Sequence, residues 1–105
     1  MAAKEGAEQN LQVHIRMTKQ EEIELLKNAD DGDRDSLLVL ANEGLRLCTL
    51  VARKYENKGE IENLIRAGFR GWILAYKHFD RSKNYKFSTY STWWIKEEIE
   101  KNLKS

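Results

Sequence analysis

A chain of 105 residues with 41% hydrophobic and 33% charged content, no proline and a formal net charge of +1 has room for one domain with a modest core. No apolar run approaches the roughly 18–20 residues of a membrane span, and the N-terminus lacks the apolar core of a signal peptide. A lone cysteine, Cys48, excludes an intramolecular disulfide and suits a reducing cytoplasm.

Residues 1–16 hold no sustained period and no cap, so they are expected to form a flexible tail, with a helical domain over residues 17–105. His14 and His78 are the only histidines and neither has companions at metal-ligand spacing, so no metal site is expected. The first helix is announced by Thr18 with Glu21 three positions on, a capping box, and Glu21 and Glu22 suit the positive end of its dipole. Ile23, Leu25, Leu26 and Ala29 supply its apolar side, and Asp30, Asp31 and Gly32 end it.

Asp33 or Asp35 caps a long second helix reaching about Tyr55, with Leu37, Leu40, Ala41, Leu47, Cys48, Leu50 and Val51 at three- and four-residue steps. Cys48 in that stripe reads as a buried, inert thiol, and Gly44 signals a bend or a close helix contact. A third helix over about residues 60–79 has the widest apolar stripe, through Leu64, Ile65, Gly68, Trp72, Ala75 and Phe79. Gly68 and Gly71 are expected to admit another helix, while Phe69 and Ile73, off the stripe, are either partner contacts or ordinary core. Residues 80–86 form a basic turn, Ser88 or Thr89 caps a fourth helix to about Leu103, and Ile95, Ile99 and Leu103 are its core stripe. No strand alternation, nucleophile–base pair or phosphate-cradling glycine loop occurs, so the expectation is an all-α bundle of three or four helices, not an enzyme, with no cofactor.

Charge is distributed unevenly: residues 1–35 sum to −4, residues 36–75 to +2, residues 76–96 to +4 and residues 97–105 to −1. The basic segment carries Lys77, Arg81, Lys83, Lys86 and Lys96 among Tyr85, Phe87, Tyr90, Trp93 and Trp94. Rings interleaved with cations suit an unpaired nucleic acid, because cations follow phosphates and each base stacks on a ring for roughly 1–3 kcal/mol. Rings at helical spacing also serve as core, but these are too many for one helix face, so some are expected at the surface.

The ordered string Phe79-Asp80, Tyr85-Lys86-Phe87-Ser88-Thr89-Tyr90 and Thr92-Trp93-Trp94-Ile95-Lys96 closely resembles the promoter-melting segment, in the second conserved region, of the primary bacterial sigma factors. The resemblance extends through Leu45-Arg46-Leu47, Ala52-Arg53-Lys54-Tyr55, Leu64-Ile65, Gly68 and Gly71, and back to Glu21-Glu22-Ile23-Glu24-Leu25 and Gly32-Asp33, covering about residues 17–103. It implies a helical domain that docks on the clamp coiled coil of the largest subunit of core RNA polymerase. It also implies capture of the single-stranded non-template strand of the minus-ten promoter element. Carried across, Tyr90 and Trp93 would stack on or wall a flipped adenine, Phe79, Tyr85 and Phe87 would shape its pocket, and Trp94 would wedge the duplex. Lys83, Lys86, Ser88 and Thr89 complete the expected DNA contacts.

Two departures stand out. On the fourth helix Glu97 and Glu100, with Glu98 between them, replace the family's usual Gln and Thr, so duplex reading should be weaker or differently specific. On the third, Asn63, Arg66, Ala67 and Phe69 occupy positions that are acidic or polar in the family's polymerase-docking run, while Leu45 and Arg46 match it. The alternatives are a regulator or decoy that binds polymerase or an anti-sigma protein without reading promoters, and a nonspecific single-strand binder. The resemblance implies a cytoplasmic, nucleoid-associated protein.

Overall fold

Four helices carry the chain in the computed structural model, which describes residues 15–104: α1 (Lys19–Asp30), α2 (Arg34–Arg53), α3 (Ile61–His78) and α4 (Phe87–Lys104). Among the described residues there is no strand, in keeping with the expected all-α class. The expected tail and His14 fall mostly outside them, although Ile15 packs against the core.

The first two helices begin where local chemistry satisfies their first amide groups. Thr18 accepts from the Glu21 amide at 3.1 Å while Glu21 accepts from the Thr18 amide at 2.7 Å, a closed capping box on α1. Gly32, at φ +99°, makes the turn that an L side chain would resist, and Asp33 then caps α2 through the Asp35 amide and the Ser36 hydroxyl.

α3 and α4 form the most extensive helix pair and run antiparallel, because Gly71 meets Trp94 and Ile95, Gly68 meets Ile95 and Ile99, and Gly59 meets Leu103. A Cβ on Gly71 would lie 2.4 Å from the Trp94 carbonyl oxygen, so the two backbones touch there. Gly44 plays a different part: its missing side chain is the space taken by the Trp72 indole, which a Cβ would meet at 2.4 Å. Leu47, Val51, Leu64, Ile95 and Ile99 are sealed beneath these crossings.

Two expected stripes shift. Ile23 is exposed and Glu22 is buried in its stead, because α1 turns residues 22 and 26 towards the bundle. Leu37 likewise faces solvent, with Leu38 and Val39, while Ser36 and Leu40 turn inward. Cys48 is fully buried, and burial pushes its thiol up to about 12, which leaves it protonated and unreactive at neutral pH.

Gly71→Ala forces α3 and α4 apart at a backbone contact that no rotamer change relieves. It should cost about 1–3 kcal/mol, lowering the calorimetric melting temperature by roughly 4–8 °C per kcal/mol in a domain of this size. An unchanged melting temperature would show that the crossing relaxes freely.

Candidate nucleic-acid interface

The rings of the basic segment converge where the end of α3, residues 80–86 and the start of α4 meet. Phe79 ends α3 buried and is the hub: its ring lies 5.3 Å from Phe87, 5.6 Å from Tyr85 and 5.1 Å from Tyr90. Phe87 continues inward to Trp72, edge-on at 5.9 Å, and Trp72 stacks on Phe69 and Tyr76. Outward the row runs from Tyr85, 40% exposed, to Tyr90 at 5.9 Å, then to Trp94 at 6.2 Å, and on to His78, which lies flat on Trp94 at 5.2 Å with 4° between the planes. One ring system therefore joins the core to a half-exposed surface. Trp93 stands apart, half-exposed beside a shallow cavity of about 350 Å³ that it shares with Trp94, Glu97, Glu98 and Lys101.

α1 holds the basic turn in place. Arg81 makes paired 3.0 Å bonds to both carboxylate oxygens of Asp30, donates to the carbonyls of Tyr76 and Phe79, and lies 4.8 Å from the Tyr76 ring centroid. Lys19 donates to Asn84, and Lys86 to the Met17 carbonyl. Glu22, buried, accepts from the Ser88 amide at 3.2 Å and from the Ser88 hydroxyl, so a carboxylate of the first helix caps the last. Between α1 and the turn lies a cavity of about 320 Å³, lined by Ile23 and Leu26 on one side and Phe79 and Tyr85 on the other.

This arrangement corrects several expectations. Neither Ser88 nor Thr89 is an N-cap, because α4 already begins at Phe87. Ser88 is buried with its hydroxyl on Glu22, so it fixes the helix start and has no free hydroxyl for a strand. Phe79 and Phe87 are buried too, supporting the platform from beneath. Of the five cations, Arg81, Lys86 and Lys96 are bound to protein groups, Lys96 to Glu100 at 3.3 Å. The side chains of Lys77 and Lys83 are exposed and make no hydrogen bond or ion pair among the described residues. Tyr85, Lys83, Tyr90, Trp93, Trp94 and, half-buried, Thr89 and Lys86 remain on the surface.

The acids of α4 separate in the same way. Glu100 accepts from the Tyr55 hydroxyl at 2.7 Å and pairs with Lys96, Glu98 pairs with Lys101, and Glu97 is exposed with no partner among the described residues. The Tyr55 hydrogen bond holds the Glu100 carboxyl below its usual range, while burial and the same contact push the Tyr55 phenol up. Arg46, expected to face a partner, lies against Glu43, whose hydrogen bond raises its already high value.

The second expected contact surface is split. Asn63, Arg66 and Ile73 recur along the outer side of α3, with Ile73 38% exposed, Phe69 is half-buried against Trp72 and the core, and Leu45 is 46% exposed on α2. Ala67 is fully buried against the core and offers no surface. Glu22 and Arg81 are the residues whose roles the sequence concealed. Glu22 stands four before Leu26 on the inward stripe, which is the one signal that could have marked it.

The described residues hold no helix long and apolar enough to cross a membrane, and no group of metal-ligating side chains. A profile of the family described as sigma-70 region 2 matches residues 40–105. Over 84 residues the chain is 39% identical to a protein named RNA polymerase sigma factor SigA from a Bacillus species, covering 79% of this chain and 22% of that one. A protein of the same name from Clostridium acetobutylicum is 40% identical over 84 residues, with the same coverage. The chain thus spans about a fifth of the length of these curated relatives.

Two outcomes test the geometry. Glu22→Ala strands a buried amide and hydroxyl at the α4 start and should cost about 1–3 kcal/mol, whereas Glu22→Gln keeps an acceptor and should cost less, both measured by denaturant unfolding. Glu100 is depressed in the fold, so its contribution is present above the ordinary carboxylate range and is lost as pH falls through its folded value. The melting-temperature gap between wild type and Tyr55→Phe should therefore close in acid; a gap constant with pH would mean that the pair adds nothing.

Proposed function

The chain belongs to the sigma-70 region 2 family, and from that premise we propose that it is the promoter-melting module of a bacterial sigma factor or sigma-like protein, acting in transcription initiation in the cytoplasm. Its partners on this reading are core RNA polymerase, through the clamp coiled coil, and the non-template strand of the minus-ten element. The observation that carries it is the ring row from Phe79 to Tyr85, Tyr90 and Trp94, rooted in the core and half-open to solvent, with exposed Lys77 and Lys83 beside it. Extruding a base costs a few kcal/mol. An aromatic site already assembled offsets that cost, because little ordering is left to be done when the base arrives.

Tyr90 receives the unstacked adenine, Trp93 walls it from outside the ring row, Tyr85 closes its pocket, Trp94 faces the last paired step, and Lys83, Lys86 and Thr89 follow the strand. Glu97 alone among the α4 acids is free to meet a base edge, where a carboxylate accepts from cytosine and repels a nearby phosphate. Glu100, tied to Tyr55 and Lys96, is less available. Polymerase docks on Leu45, Asn63, Arg66, Phe69 and Ile73. The regulator reading draws on the same strip of α3 and on Glu97. Retention of core polymerase by the bound protein, with no effect on promoter opening, would favour it.

A labelled single strand bearing TATAAT should bind more tightly than a scrambled strand at low salt, and Trp93→Ala should weaken it by roughly 1–3 kcal/mol with the melting temperature unchanged. Equal affinity for the two strands would remove sequence-specific capture and leave a nonspecific binder.

A further inference from the structure

α2 carries an apolar face that the described bundle leaves open. Leu38 is 60% exposed and Leu45, seven residues on, is 46% exposed. Asn42 stands exposed between them, and Asp35, Thr49 and Arg53 continue the same line at three- and four-residue steps along the 20-residue helix. Leu37 and Val39 flank Leu38 and are exposed as well, so three consecutive apolar side chains meet solvent there. Single exposed apolar residues are ordinary, but a contiguous group of them marks a contact surface.

The charges at the two ends of that line point to what covers it. Around the start of α2 stand Asp31, Asp33 and Asp35 against Arg34, and around its end Arg53 and Lys54 against Glu56. Asp33 is spent on the helix cap, but the carboxylates of Asp31 and Asp35 and the guanidinium of Arg53 make no hydrogen bond or ion pair among the described residues. One end of the line is thus acidic and the other basic, on a helix about 30 Å long. A second α2 laid antiparallel puts acid on base at both ends and opposes the helix dipoles, whereas a parallel one puts like on like. Asn42 lies midway, and its amide both donates and accepts, so it can bond to the same residue of a second copy crossing there. A polar side chain in such a place fixes the register of a helix pair. In that register Leu38 of one copy lies over Leu45 of the other, twice by symmetry.

We infer that this face pairs with a second copy of the chain, α2 on α2 and antiparallel, in a two-fold dimer. The contact covers Leu45. In consequence, resting for this clause alone on the polymerase-docking reading above, a paired chain is withheld from polymerase, and self-association and docking exclude each other. One helix against one helix is at the small end of specific interfaces, so the pairing is reversible and depends on concentration.

Sedimentation equilibrium of the full chain tests this. The mass should rise from one chain towards two over a dilution series reaching about 1 mM. Leu38→Glu should hold it at one chain with the melting temperature unchanged, because that side chain already lies in water. Asp31→Arg and Arg53→Glu should each weaken pairing about tenfold, since symmetry removes two exposed ion pairs at once. The double variant should restore it, because the swap again sets opposite charges across an antiparallel contact. A single-chain mass at every concentration, or a dimer indifferent to Leu38→Glu, would overturn the inference. So would a double variant no better than the single ones, which would mean another face or a parallel arrangement. Core polymerase should take up wild type as one chain and dissolve the dimer. Polymerase that holds the dimer intact would remove the exclusion, whereas polymerase that binds neither form would remove the docking reading and leave the pairing standing on its mass.

Discussion

Gly71 pressed against the Trp94 carbonyl is the contact on which the geometry of the ring surface depends. A helix that touches another backbone to backbone has almost no freedom to roll, since any rotation drives a side chain into the gap. α4 is thereby fixed about its own axis, with Ile95 and Ile99 inward and Trp93, Trp94 and Glu97 towards solvent. The same residue that closes the crossing, Trp94, receives His78 on one side and Tyr90 on the other. Core packing and the exposure of the ring surface are in this way two consequences of one helix placement.

α1 performs a second task, holding the segment between α3 and α4. Three of its acids, which by themselves would repel a polyanion, are engaged internally: Asp30 on Arg81, Glu22 on the start of α4, Glu21 in its own cap. A basic turn without glycine or proline would otherwise sample many conformations, and the rings it carries would have to be ordered at the moment of binding. The cation that could have met phosphate most easily, Arg81, is given up to this purpose. Exposed Lys77 and Lys83 carry the field instead.

The first three helices were legible because local chemistry marks them: the Thr18–Glu21 box, Asp33 after Gly32, and the apolar stripe of α3. The close approaches at Gly68 and Gly71 were legible for the same reason, as missing side chains at helical spacing. What escaped depends on residues far apart. Ser88 is bonded to a carboxylate 66 positions away, and no local rule distinguishes that serine from one capping its own helix. Ile23 and Leu37 read as core because apolar type stands in for direction, yet the helix rotation set by Leu26 and Leu40 turns them out. In the ring surface the residue types were evident from sequence, but not which cations are engaged, nor that His78 joins the stack.

An abasic scan along the TATAAT strand tests most directly whether a preformed aromatic site receives one unstacked base. Removing the base of the adenine that begins melting should cost roughly 1–3 kcal/mol, while removing a base that stays outside the site should cost far less. Losses spread evenly along the strand would contradict the account, because they would mean that the rings and lysines hold a backbone and no particular base.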